Sequence, residues 1–180
     1  MTHPEKHIST GIKNLDDIMH GGFTADRLYL VEGYPGTGKT TLAMQFLLDG
    51  VANGHRVLYV SLSETRDELE GVAASHGWSL EGIDIHELVD QEKLNHEQSQ
   101  YTMFEPSEIE LGATIDRVLI KIEEINPKRI AFDSLSEMRL LAQGPLRYRR
   151  QILALKQFFV GRGCTTLMLD DKSGGDLAND

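Results

Sequence analysis

Gly33-Tyr34-Pro35-Gly36-Thr37-Gly38-Lys39-Thr40 fits G-x-x-x-x-G-K-[ST], the phosphate-binding loop called Walker A. Arg27-Leu28-Tyr29-Leu30-Val31-Glu32 before it reads as a strand, and Thr41-Leu42-Ala43-Met44-Gln45-Phe46-Leu47-Leu48 after it reads as a helix. That strand–loop–helix order is the context the motif requires. Gly33, Gly36 and Gly38 open backbone angles closed to other residues, so successive N–H groups can turn inward on an anion. The helix that starts near Lys39 adds its positive dipole end. Lys39 is expected to reach the β- and γ-phosphates, the Thr40 hydroxyl to ligate magnesium and Thr41 to contact the α-phosphate. Tyr34, Pro35 and Thr37 complete the loop, Tyr34 through its backbone rather than its ring. The competing reading, a glycine-rich turn with an exposed lysine, leaves the flanking pattern unexplained. For Thr41 the competing reading is an ordinary first-turn residue.

Strand and helix patterns alternate along the rest of the chain, which predicts one α/β domain over 1–180 with a mostly parallel sheet flanked by helices. Asn53-Gly54 stops the first helix, and Arg56–Leu62 is a second strand. Thr65-Arg66-Asp67-Glu68 has capping-box spacing and starts a helix with Leu69, Val72 and Ala73 on its apolar face, ended by Gly77. Ile83–Val89 is a short strand, and residues 90–106 form a polar loop. Ser107-Glu108-Ile109-Glu110 is a second capping box. The helix it opens carries Leu111, Ile115, Val118, Leu119, Ile122 and Ile125 and ends at Asn126-Pro127. Arg129–Asp133 is a strand, Leu146–Val160 a basic amphipathic helix, and Thr165–Asp170 the last strand, followed by a glycine-containing tail from Lys172.

Three carboxylate positions stand at strand ends. Asp133 is the candidate Walker B aspartate, orienting magnesium, with helix N-capping as its competitor. Glu64, just after the second strand, is placed to polarise an attacking water; otherwise it complements the dipole of the following helix. Glu68 is read as the capping-box partner only. Asp170 and Asp171 divide evenly between sensing a γ-phosphate and simply ending a strand.

Composition narrows the partners. With 28 acidic against 18 basic residues and a net charge of −10, whole-surface attraction to nucleic acid or anionic membrane is disfavoured. Cys164 is the single cysteine, which excludes an intrachain disulfide, fits a reducing cytoplasm and reads as a small buried hydrophobe. No apolar run reaches membrane-spanning length, the N-terminus lacks a secretory pattern, and seven histidines show no metal-like spacing. Arg147, Arg149, Arg150 and Lys156 read first as a solvated helix face and second as an interface. Tyr101 and Phe104 read as pins for the polar loop, and Trp78 has no placement from sequence.

With these residues in place, the chain resembles the KaiC-like branch of the RecA superfamily of P-loop ATPases. Ser9-Thr10-Gly11, Leu15-Asp16 and Gly21-Gly22 carry the resemblance before the loop. Tyr59-Val60-Ser61-Leu62-Ser63-Glu64-Thr65 and Phe132-Asp133-Ser134-Leu135-Ser136-Glu137 carry it after. Leu146-Arg147-Tyr148-Arg149-Arg150-Gln151 and Gly161-Arg162-Gly163-Cys164-Thr165 resemble a bacterial subgroup. The resemblance implies a RecA-like core binding ATP and magnesium, with Lys39, Glu64 and Asp133 catalytic and Thr40 and Asp133 at the metal. It implies a homo-oligomeric ring, hexameric in many relatives, with ATP at the subunit interface and a signalling partner. The expected function is a slowly hydrolysing ATP-dependent switch. Serine/threonine autokinase activity and a nucleotide-responsive binding module are the alternatives, and DNA recombination is the runner-up within the superfamily. Three departures are visible. Ser63 replaces the first of two adjacent acids, Asp26 replaces a glycine before the first strand, and the family pattern continues past the position of Asp180.

Overall fold

The computed structural model describes residues 6–88, 106–142 and 144–172. A short antiparallel pair, β1 (His7–Ile8) and β2 (Phe23–Thr24), brackets helix α1 (Lys13–Ile18). Then follow β3 (Leu28–Gly33), α2 (Lys39–Ala52), β4 (Val57–Ser61), α3 (Arg66–Ser75) and β5 (Ile83–Glu87). The chain continues through α4 (Pro106–Ile125), β6 (Arg129–Asp133), α5 (Leu135–Ala142), α6 (Pro145–Phe159) and β7 (Thr165–Asp171). Five strands form one sheet in the order β3-β7-β6-β4-β5, with every pairing parallel. The expected α/β architecture is therefore present.

Strand periodicity divides the core. Leu58, Val60, Ile130, Phe132 and Met168 face α4, α5 and α6, whereas Val57, Tyr59, Ala131, Leu167 and Leu169 face α2 and α3. Both faces are covered, so β4 and β6 are buried at every position and read as continuous apolar runs rather than alternating ones. Cys164 is buried as a small hydrophobe, and burial raises its thiol to about 11. Beyond β3 no strand is paired among the described residues. The carbonyls of Arg27 and Gly33 accept from β7 and Lys172, so by alternation the backbone groups of Leu28, Leu30 and Glu32 point away from the sheet. Leu30 is 60% exposed there.

Local sequence rules account for most boundaries. Thr65 and Glu68 form the full capping box: Glu68 N donates to Thr65 Oγ1 at 3.3 Å and Thr65 N to Glu68 Oε2 at 2.8 Å. The bonds Glu68 accepts from Thr65 hold its carboxyl below the ordinary range, as suits a cap. Helix α4 starts at Pro106, which puts Ser107 inside its first turn rather than at the expected N-cap. A proline at the first helical position gives up no intrahelical bond, and its fixed φ suits the helix. Helix α5 was not read from sequence. Its eight residues follow directly on a strand without a glycine or proline between them. Asp26 has φ of 60°, so the turn usually made by glycine is kept, with its N–H donating to Thr165 Oγ1 at 2.9 Å. The polar loop with Tyr101 and Phe104, and the tail beyond Lys172, lie outside the described residues.

Ser9-Thr10-Gly11 and Asp16 turn out to be structural. Asp16 accepts from Ser9 Oγ at 2.6 Å and Thr10 N at 2.7 Å, which ties the entry strap to α1. Gly22 has φ of +100°, and a Cβ there would collide with the carbonyl of Ile8, so β1 and β2 can meet only with glycine at that place.

Arg129 opens β6 with its residue only 1% exposed. Its guanidinium donates to Asp49 Oδ2 at 2.6 Å, Phe46 O at 2.7 Å, Ser9 O at 3.0 Å and His55 Nδ1 at 3.3 Å. It also lies 4.9 Å from the centre of the Phe46 ring. One side chain thus joins the strap, α2 and the central sheet. Arg129→Met is expected to destabilise the fold by about 2–4 kcal/mol, because carbonyls and Asp49 lose their donors together. Urea denaturation checks this: the midpoint should fall with the slope unchanged.

Candidate functional site

All five strands of the parallel sheet run the same way, and the loop from β3 to α2 leaves from their C-terminal ends. Gly36 and Gly38 have φ of +80° and +89°. A Cβ added at either would meet nothing within 4 Å, so the space beside these two glycines is open. Gly38 is the residue before α2, and Lys39, Thr40 and Thr41 form the first turn, with their amides at the positive end of a 14-residue helix. Tyr34 is about half exposed. Its carbonyl accepts from Thr37 Oγ1 at 2.8 Å and Lys39 Nζ at 3.0 Å, so its backbone shapes the loop.

Asp133, the last residue of β6, is 8% exposed. Its Oδ2 accepts from Thr40 Oγ1 at 3.1 Å and from the Tyr59 hydroxyl at 2.6 Å. Burial raises the carboxyl above its ordinary range, and these two bonds partly offset it. Asp133 does not act as the cap of α5; the Ser136 N–H donates instead to Ser134 Oγ at 3.2 Å. The Asp133–Ser134 peptide is cis. Tyr59 is held protonated by burial and by the Asp133 charge, so it stays a donor. Sequence reasoning missed Tyr59. A tyrosine on a strand apolar at both faces needs a buried hydroxyl partner, and that was the available signal.

Glu64 sits at the turn from β4 to α3. Ser61 Oγ donates to the Glu64 carbonyl at 2.6 Å and accepts its N–H at 3.0 Å, clamping the turn. Its side chain turns inward, and Oε2 is buried with no hydrogen-bond partner. Burial raises its pKa above the ordinary value of 4.5, and the charges of Asp133, Glu68, Glu137 and Asp171 push it further. Ser63 beside it is exposed. Asp170 accepts from Ser136 Oγ at 2.8 Å and Arg139 at 2.6 Å, and Arg139 packs over Tyr148. Asp170 is therefore a paired strand end. Asp171, by contrast, meets Lys39 Nζ at 2.6 Å.

The structure brings Gly33–Thr41, Asp133, Glu64 and Asp171 to one crest, joined by Tyr59. It leaves Trp78 out, stacked on His76 past the far end of α3. The basic residues Arg149, Arg150 and Lys156 are exposed on α6, and Arg139 over Tyr148 adjoins that helix. A divalent cation fits the pair Thr40 and Asp133, a hydroxyl and a carboxylate with a neighbouring unpaired carboxylate. Among the described residues no three His, Cys, Asp or Glu side chains make a cage by themselves. That suits a hard cation completing its shell with water and phosphate oxygens. No helix among the described residues is long and apolar enough to cross a membrane.

Comparison with known proteins agrees with this geometry. Residues 8–179 match the family described as "ATPase: KaiC". A UPF0273 protein of Pyrococcus horikoshii is 30% identical over 178 residues, covering 95% of this chain and 70% of that protein. A UPF0273 protein of Thermotoga maritima is 28% identical over 183 residues, covering 93% and 71%. The circadian clock oscillator protein KaiC of Prochlorococcus marinus is 30% identical over 169 residues, covering 92% of this chain but 32% of that protein.

The raised carboxyl of Glu64 has a signed consequence. The folded state binds its proton more tightly than the unfolded chain, so stability falls as pH rises from 4.5 through the folded pKa. Carboxyl-carbon NMR titration should place the Glu64 midpoint above 4.5, and Asp133→Asn should lower it by removing a neighbouring charge. Glu64→Gln should flatten that part of the stability profile.

Proposed function

The chain belongs to the KaiC-type ATPase family, and from that premise we propose that it binds magnesium-ATP, hydrolyses it slowly and acts as a nucleotide-dependent switch within a homo-oligomer. The observation that carries the reading is the meeting of Thr40 and Tyr59 on Asp133, beside Lys39 and the unpaired Glu64. In this reading the amides of the loop and the first turn of α2 hold the polyphosphate, and Lys39 turns to its β- and γ-oxygens. Thr40 and Asp133 hold the metal, which when bound supplies positive charge against the phosphate oxygens. Tyr59 fixes the orientation of Asp133 with a proton it does not lose.

Glu64 takes the role of base toward water. Its orphaned oxygen has a free lone pair, and its raised proton affinity brings it nearer to what a base at neutral pH needs. Turnover is slow in this reading because Ser63 stands where an additional acid is expected. The loop crest from Tyr34 to Gly38 is exposed, which leaves room for a second subunit to complete the site. The clock role belongs to the much longer oscillator proteins. What is carried over from them is the nucleotide site and, as a proposal, assembly and a signalling partner.

Calorimetric titration with magnesium-ATP tests the proposal. Wild type should bind, and Lys39→Ala should weaken binding about 100-fold by removing a charge-assisted contact to the phosphates. Glu64→Gln should bind normally yet release phosphate about 100-fold more slowly. Equal affinity in wild type and Lys39→Ala refutes the site. Intact mass after incubation with ATP separates the outcomes further, because a gain of one phosphoryl group identifies transfer to a hydroxyl instead of water.

A further inference from the structure

We infer that Asp171 is an internal competitor for the phosphate site: its carboxylate pairs with Lys39, and a phosphate ligand must displace it. The inference deepens the nucleotide-binding reading and rests on it. Lys39 Nζ lies 2.6 Å from Asp171 Oδ1, 3.1 Å from the carbonyl of Gly33 and 3.0 Å from that of Tyr34. An ammonium has three protons and no acceptor, so its donors are fully committed within the protein. The Lys39 side chain is only 10% exposed, and the carboxylate beside it is 37% exposed at the mouth. An arriving anion therefore exchanges with a resident one.

The competitor is held in place by the backbone. Asp171 is the last residue of β7 and pairs in register with Gly33, the residue that opens the loop. Its N–H donates to Ser136 Oγ at 2.9 Å, and the next amide, of Lys172, donates to the Gly33 carbonyl at 3.0 Å. The carboxylate thus swings on a fixed stem. Asp170 does not stand in for it. It points to the opposite face of the strand, and both its oxygens are engaged, by Ser136 and Arg139.

This arrangement filters ligands by charge. An anion with a single phosphoryl group gains little by replacing a carboxylate on the same lysine. A polyphosphate gains because the loop amides and the metal hold its other oxygens at the same time. The latch therefore favours di- and triphosphates over orthophosphate and leaves Lys39 neutralised between turnovers.

Two measurements on Asp171→Asn and Asp171→Ala test this. Acetylation of the nucleotide-free protein, followed by peptide mass spectrometry with Lys128 as reference, reads Lys39 directly. Its rate should rise about fivefold once the ion pair is gone. Titration with magnesium-ADP and magnesium-ATP should show affinity rising about fivefold in both variants. An unchanged Lys39 rate overturns the latch, and so does a faster rate with unchanged nucleotide affinity. Absence of nucleotide binding in wild type and in both variants removes the nucleotide site itself. The labelling result still separates that outcome from an absent ion pair.

Discussion

A carboxylate at the end of a central strand is costly to bury, and Asp133 remains there because two hydroxyls from different elements satisfy it. Thr40 comes from the first turn of α2 and Tyr59 from β4. Tyr59 reaches Asp133 because β4 and β6 run parallel in register, with Tyr59 beside Ala131 and Ser61 beside Asp133. The Leu62 N–H closes the same corner by donating to the Asp133 carbonyl at 2.7 Å. Satisfying one acid therefore fixes the height of the loop helix relative to the sheet. Glu64, one turn of chain beyond Ser61, is positioned by the same registration.

The two ends of β6 divide the work. Arg129 enters at one end, where it meets the strap, α2 and Asp49, and every guanidinium contact serves packing. Asp133 leaves at the other end among groups that fit a ligand. Among the described residues the buried side-chain polar atoms at the Arg129 end have partners, whereas at the Asp133 end Glu64 keeps an unpartnered oxygen. An unpartnered buried oxygen beside a strand-end carboxylate fits a position that a water or ligand would fill; His86 Nε2 on β5 is the other buried unpartnered atom among the described residues.

The loop, the parallel sheet and the Asp133 strand were legible because each rests on local chemistry. Glycine positions, capping boxes and apolar runs report their own neighbourhood. The partners of Asp133 were less legible, since Tyr59 lies 74 positions away and nothing local marks the pairing. Arg129 looked like the polar start of a strand, and only the packed structure shows its four acceptors. The pair Asp170 and Asp171 could not be resolved from sequence either. Adjacent strand residues face opposite sides, so the two acids have different partners, and which acid faces Lys39 depends on the sheet's register.

Among the described residues the strand that carries the phosphate loop is an edge of the sheet, with the backbone groups of Leu28, Leu30 and Glu32 pointing away from β7. Within the described sheet the loop is stitched to its body along the β3–β7 ladder, and that seam ends at Gly33 and Asp171. Fraying there would loosen the cradle before it disturbed the buried middle strands. The cradle thus hangs from an edge of the described sheet, and whatever lies along the outer margin of β3 bears on how firmly the grip is set.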